Sequence, residues 1–235
     1  MKILQRGLYA LILTILFQTQ VSAEYLYKDE IVNRPAFTDE IETIGKELYD
    51  KTGISLKLVM LRELPNGMTM LNYEKKVLST FEKPTILLSF SEMDSEIDIE
   101  VNDPSLYKYF NKKQVLSPTA SAVQAFAMAI FYADSWEHFN ELRKDYGGSI
   151  LPLIGSKSYD EQIVGKYAGS MFNGYIDIAQ QVASSKGIKL DSDPGDANQE
   201  ALFYLKVFFY SFVLYAIIMY IKRFLYRRRH KNEES

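Results

Sequence analysis

The stretch from Ala201 to Ile221 constrains this chain more than any other. Its 21 residues carry one charge, Lys206, and are rich in Phe, Tyr, Leu, Val and Ile. As a helix it is about 30 Å long, the thickness of a bilayer's hydrocarbon core. Lys206 lies near its start, where the alkyl stem can carry the ammonium to the interface. Phe203, Tyr204, Tyr220 and Phe224 fall where interfacial aromatics are favoured. Lys222, Arg223, Arg227, Arg228, Arg229 and Lys231 follow at once. Short basic flanks resist translocation, so residues 222–235 are expected to be a cytoplasmic tail. Topology accounts for these cations, and no nucleic-acid partner is expected. At the other end, Lys2 and Arg6 precede an apolar run from Gly7 to Phe17 and then Val21-Ser22-Ala23. This is the pattern of a cleaved signal peptide over residues 1–23, with an apolar core too short to span. Both ends predict one placement, a single-pass protein of a bacterial-type inner membrane. Residues 24–190 form a periplasmic body, 191–200 an acidic linker and 201–221 the span.

Residues 24–199 hold 18 basic and 27 acidic side chains, so the exported part is strongly acidic. Cysteine is absent, which excludes disulfides, thiolate zinc sites, iron–sulfur clusters and cysteine nucleophiles. With only His138 and His230, a multi-histidine metal centre is excluded as well. Within the body, Thr38 as N-cap, Ile41, Ile44 and Leu48 on one stripe and Gly53 as stop predict a first helix. Ile54 to Leu61 begins as an alternating strand and becomes continuously apolar. A second helix from about Thr69 to Phe81 places Met70, Tyr73, Val77 and Phe81 together. Thr85 to Phe90 is a buried strand. Ile97 to Val101 alternates strictly, with Asp98 and Glu100 facing outward, as on an edge or a solvated face. Helices and strands joined by short connections predict an α/β/α layered sandwich around a central mixed sheet.

The stretch Val32-Asn33, Phe37-Thr38, Thr52-Gly53-Ile54, Ile86-Leu87-Leu88, Asp94 and Ile99-Glu100-Val101 resembles the TPM domain family. So does the later block Ile150-Leu151-Pro152-Leu153-Ile154, Tyr159-Asp160 and a helix over 162–185. The family includes thylakoid-lumen proteins of photosystem repair, an auxiliary subunit of a nematode acetylcholine receptor, and bacterial membrane-anchored proteins. The resemblance covers roughly 24–110 and 148–188, and implies an α/β/α sandwich outside the cytoplasm.

Two departures from that family stand out. Its glycine-rich turn after the edge strand is replaced by Asn102-Asp103-Pro104-Ser105-Leu106. Asp103 as N-cap with Pro104 behind it predicts a helix over 105–111 instead. Residues 112–149 look like a helical insertion. Ser117-Pro118 opens an apolar run from Ala120 to Ala133, about fourteen residues and too short to span. The plain expectation is a buried helix packed through Ala125, Ala127 and Ala129. The sharper one is a helix that touches a membrane or partner through Phe126, Phe131 and Tyr132.

Little of this points to catalysis. Asp134 and His138 are i,i+4 neighbours, most simply a surface pair, and no nucleophile elbow accompanies them. The remaining chemistry lies in carboxylates. Glu92 and Asp94 sit in the turn between two strands and Asp103 at the far end of the second. These three are the candidate metal ligands, for calcium or magnesium. Asp94 coincides with an acidic position common in the TPM family, some of whose members bind divalent metal or hydrolyse phosphate monoesters. No cofactor is required by any motif. Two functions follow as expectations. One is a tethered accessory domain that supports assembly, stability or repair of an envelope protein partner. The alternative is a divalent-metal-dependent, phosphatase-like hydrolase using the strand-end carboxylates.

Overall fold

The computed structural model describes residues 24–65, 67–157, 159, 162–192 and 207–223. The expected signal peptide and most of the basic tail lie outside the described residues. The chain divides into two units, one ending at Ser192 and the other beginning at Asp193.

The first unit is an α/β fold on a four-stranded mixed sheet in the order β1-β2-β3-β4. Strands β1 (Leu26–Asp29), β2 (Ser55–Leu61) and β3 (Thr85–Ser91) run parallel. Strand β4 (Glu96–Val101) is antiparallel to β3 and forms one edge, as its alternation predicts. β1 is an addition, because four residues are too few to carry a periodic signal. It is held from outside the sheet as well: Tyr25 N–H and Leu26 N–H both donate to Glu42 Oε1, at 2.7 and 2.8 Å.

Side chains alternate across β2 and β3, so each strand feeds two cores. Leu56, Leu58, Met60, Ile86, Leu88 and Phe90 join one cluster, with Ile99 and Val101 from β4. That face packs against α1 (Pro35–Thr52) and the long C-terminal helix of the unit, Ile163–Ser185. Val59, Leu61 and Leu87 face the other way, onto α2 (Met70–Leu78). Both faces are covered, which is why β2 and β3 read as continuous apolar runs.

The helix limits differ from expectation for local reasons. α1 starts at Pro35 with Arg34 as its N-cap, so Thr38 lies inside the helix. Proline presets the first-turn φ and pushes the residue before it out of the helical region. Gly53 is the left-handed stop, at φ 73°, and its N–H donates to Tyr49 O. α2 ends before Phe81 because the Ser79 and Thr80 hydroxyls bond back to Lys76 O and Val77 O. Asp103 and Pro104 do open a helix, but it is a 3₁₀ turn, Pro104–Lys108.

Four further helices complete the unit: α3 (Lys112–Val115), α4 (Ala122–Tyr132), α5 (Trp136–Leu142) and α6 (Leu151–Ile154), ahead of α7, the Ile163–Ser185 helix. Tyr175 of α7 is fully buried, and its hydroxyl donates to Leu56 O at 2.9 Å. Tyr175→Phe is therefore expected to cost about 1–2 kcal/mol in denaturant unfolding, since a buried carbonyl loses a partner while ring packing is kept. The end of the unit is latched onto α1. Glu47 accepts from the backbone N–H groups of Asp191 and Ser192 and from Ser192 Oγ, while Lys51 pairs with Glu47 and Asp191. Residues 191 and 192, the start of the expected acidic linker, are thus bonded to α1; residues 193–200 lie outside the described residues.

In the second unit, residues 207–223 are helical and their side chains are exposed. This is part of the expected span; residues 201–206 lie outside the described residues. Among the described residues, no helix is long and apolar enough to cross a membrane.

Candidate functional site

The three strand-end carboxylates hold turns together. Asp94 Oδ2 accepts from Ser91 Oγ at 2.5 Å and from Leu64 N–H at 2.8 Å, and these bonds lower its pKa. Glu92 reaches Arg62 at 4.0 Å. Asp103 caps the 3₁₀ turn, accepting from Ser105 N–H and Oγ at 2.9 and 2.8 Å. Glu92 and Asp94 precede β4 and Asp103 follows it, so the length of the strand separates them.

A different set of carboxylates converges. Asp98 and Glu100 of β4 lie opposite Ser89 and Leu87 of β3. They therefore share the sheet face that α2 covers, and they face the helix rather than bulk water. Glu74 of α2 comes down onto them. One carboxylate oxygen from each of Glu74, Asp98 and Glu100 lies within 4.8 Å of the other two. Among the described residues this is the one convergence of three such ligands.

The three acids live in different environments. Asp98 and Glu100 are half-buried and partnered: Lys112 Nζ stands 2.6 Å from Asp98 Oδ1, and Tyr107 Oη donates to Glu100 Oε1 at 2.9 Å. Glu74 is 0% exposed, and neither of its oxygens has a hydrogen-bond partner. The nearby Ser89 Oγ is buried and unpartnered too. Ser89 Oγ, acting as a weak hydrogen-bond donor, and the Lys112 charge draw the Glu74 pKa down, but both are outweighed. Burial first, then the Asp98 charge with a smaller push from Glu100, raise Glu74 to about 8. At neutral pH the Glu74 carboxyl therefore holds a proton, unless a cation replaces it. The sequence contained one clue. Met70, Glu74 and Leu78 are spaced i, i+4, i+8, so the acid occupies a position on the buried stripe of α2. Its meeting with β4 is non-local and had no signal.

Another buried charge also escaped prediction. Lys57 of β2 is 6% exposed, donates to Glu24 O at 2.6 Å and lies 4.8 Å from the Phe81 ring centre. Burial lowers its pKa, against the opposing pull of Glu24 and Glu42.

The insertion supplies a surface of another kind. Ser121 caps α4, of which only Ala125 and Ala129 are buried. Ala127 is exposed, so the expected close packing holds for two of the three alanines. Phe126, Phe131 and Tyr132 stand out from the unit, Phe131 at 79% exposed. Trp136, 76% exposed, stacks on Phe139 at 5.3 Å with planes 9° apart, and Phe126 meets Phe139 edge-on. An eleven-residue helix cannot bury an all-round apolar surface when a single narrow stripe meets the body. His138 Nδ1 lies 2.8 Å from Asp134 Oδ1 on the exposed side of α5, the surface pair expected. No known family model matches the chain, and no curated protein matches it.

Proposed function

We propose that this chain is a membrane-tethered accessory domain, TPM-like in architecture, that docks an envelope protein through α4 and α5. In this reading the sheet and its helices form an α/β/α sandwich on the periplasmic side, residues 201–221 span the inner membrane, and the basic tail faces the cytoplasm. The observation that carries the reading is the exposed aromatic surface of the insertion. Isolated exposed apolar residues are ordinary, but a contiguous set of large ones marks an interaction site. Phe126, Phe131, Tyr132 and Trp136 are residue types enriched at protein interfaces, and ring contacts with Phe139 hold Trp136 and Phe126 in place before binding. Glu141, Arg143, Lys144 and Asp145 follow them in mixed sign, and the charges interleaved among the aromatics are carboxylates, Asp134 and Glu137. An anionic lipid surface would repel these, whereas a protein groove with a basic rim complements them. Tethering keeps the domain close to membrane-bound partners and raises the effective concentration.

Site-specific photocrosslinking from position 131 in cells tests the reading. It should yield a reproducible adduct with one envelope protein. Phe126→Ser with Trp136→Ser should abolish that adduct while leaving thermal unfolding of the purified chain within about 1 kcal/mol, since both side chains are exposed. A reporter fused after Ser235 should be active only in the cytoplasm. Adducts to lipid alone, or a reporter active only outside, would overturn the proposal.

A further inference from the structure

We infer that Glu74, Asp98 and Glu100 form a calcium site between α2 and the edge strand β4. Two independent observations converge on it. The first is geometric. Three carboxylate oxygens from two elements all lie within 4.8 Å of one another, close enough for a single hard cation to bind all three. Calcium suits such a site better than magnesium, because it accepts six to eight oxygens in irregular geometry where magnesium demands a strict octahedron. The second is Glu74 itself. A fully buried carboxylate with no well-formed hydrogen bond to either oxygen, and only the Ser89 hydroxyl close by, is rare in a folded protein. A Glu74 oxygen converges on those of Asp98 and Glu100, where the ion would sit.

The wider surroundings fit a hard cation. Asp98 and Glu100 are half-buried, so the site opens to solvent along the sheet edge and water can complete the coordination shell. Tyr107 orients Glu100 by donating to its Oε1, leaving Oε2 free of that bond. Lys112 is the internal rival. Its ammonium lies 2.6 Å from Asp98 Oδ1, and at 32% side-chain exposure it can withdraw into water when a divalent ion arrives. Binding then replaces the Glu74 proton and the Lys112 contact with one calcium ion, and the proton passes to solvent. The ion would tie a short helix to an edge strand through oxygens from both. This site is separate from the aromatic surface, and neither proposal depends on the other.

The test uses the full chain in detergent micelles, with calcium measured by calorimetry and terbium by tyrosine-excited emission, for which Tyr107 is the adjacent donor. Calcium should bind, displace terbium and do both better than magnesium. Glu74→Gln keeps the size of the protonated side chain, so the fold should survive, confirmed by an unchanged circular-dichroism spectrum. Its calcium affinity should fall tenfold or more, and Asp98→Asn should behave alike. Asp94→Asn should leave affinity within twofold. Equal binding by wild type and Glu74→Gln would overturn the inference, as would loss of binding in Asp94→Asn alone. Binding that appears only after Lys112→Met would also overturn it, since lysine would then be the resident cation.

Discussion

In the presence of a chelator, Glu74→Gln is expected to make this protein more stable than the wild type by a few kcal/mol at pH 8 and by less than about 1 kcal/mol at pH 5. Glu74 titrates near 4.5 when exposed and at about 8 in the folded chain. Its folded-state pKa is raised, so the native state keeps a proton that the unfolded state releases. The contribution is fully present below the unfolded value and is lost as pH rises towards the folded one. Each unit in that interval removes up to about 1.4 kcal/mol. Over the whole interval the loss is on the order of a few kcal/mol, a large part of a domain's usual 5–15 kcal/mol. Glutamine has no proton to lose and flattens this limb. Glu47 supplies the opposite limb. Burial pushes its pKa up, but hydrogen bonds from Lys51, from the Ser192 hydroxyl and from the backbone at Asp191 and Ser192 together hold it at about 2. Its contribution is present above the unfolded value and lost as pH falls through the folded one, so stability should peak on the acid side of neutrality. Urea unfolding of both proteins at pH 5, 6.5 and 8 checks this. A wild-type profile as flat as that of Glu74→Gln would mean that Glu74 is already ionised in the native state.

Gly45→Val is expected to be among the most damaging single substitutions in the folded body. Gly45 lies on the buried side of α1, where a Cβ would stand 2.4 Å from both Tyr175 Oη and Tyr25 Cγ. Neither neighbour can yield cheaply. The Tyr175 hydroxyl is fixed by its bond to Leu56 O, and Tyr25 leads into β1 under the grip of Glu42. A side chain here has to lift α1 from both α7 and the sheet. Overpacking usually costs 1–3 kcal/mol, and the branched valine should reach or pass the upper end of about 3 kcal/mol. The same exchange at Gly174 crowds one buried side chain, Ile150, whose Cδ1 and Cγ1 would stand 2.3 Å away, and should be milder because no hydrogen bond has to break. Thermal unfolding of the two variants side by side reads the difference. Equal losses would show that α1 has more freedom to shift than this packing allows.

Much of the body could be read locally. The periodic stripe of Ile41, Ile44 and Leu48, the apolar runs of β2 and β3 and the alternation of β4 each encode a face to be buried, and a buried face is a property of neighbouring residues. Gly53, Asp103 and Pro104 mark ends and beginnings because their backbone preferences act within a few residues. β1 had too short a signal, and the end of α2 turned on two hydroxyls that compete for helix carbonyls.

The candidate sites divide along the same line. Glu92, Asp94 and Asp103 attracted notice because acids near strand ends are visible in a linear pattern, yet Asp94 and Asp103 bond to their own turns and Glu92 only reaches Arg62. Asp98 and Glu100 looked solvated because alternation says only that they oppose Ile97, Ile99 and Val101; it does not say what covers that opposite face. The answer came from α2, laid over β4 with Glu74 on its buried stripe. The alternating and helical periods, the charge asymmetry and the chain-end patterns are written residue by residue, since each depends on short-range geometry. Which carboxylate meets which depends on packing between segments more than twenty residues apart, and only the folded sheet brings those oxygens within one ion's reach.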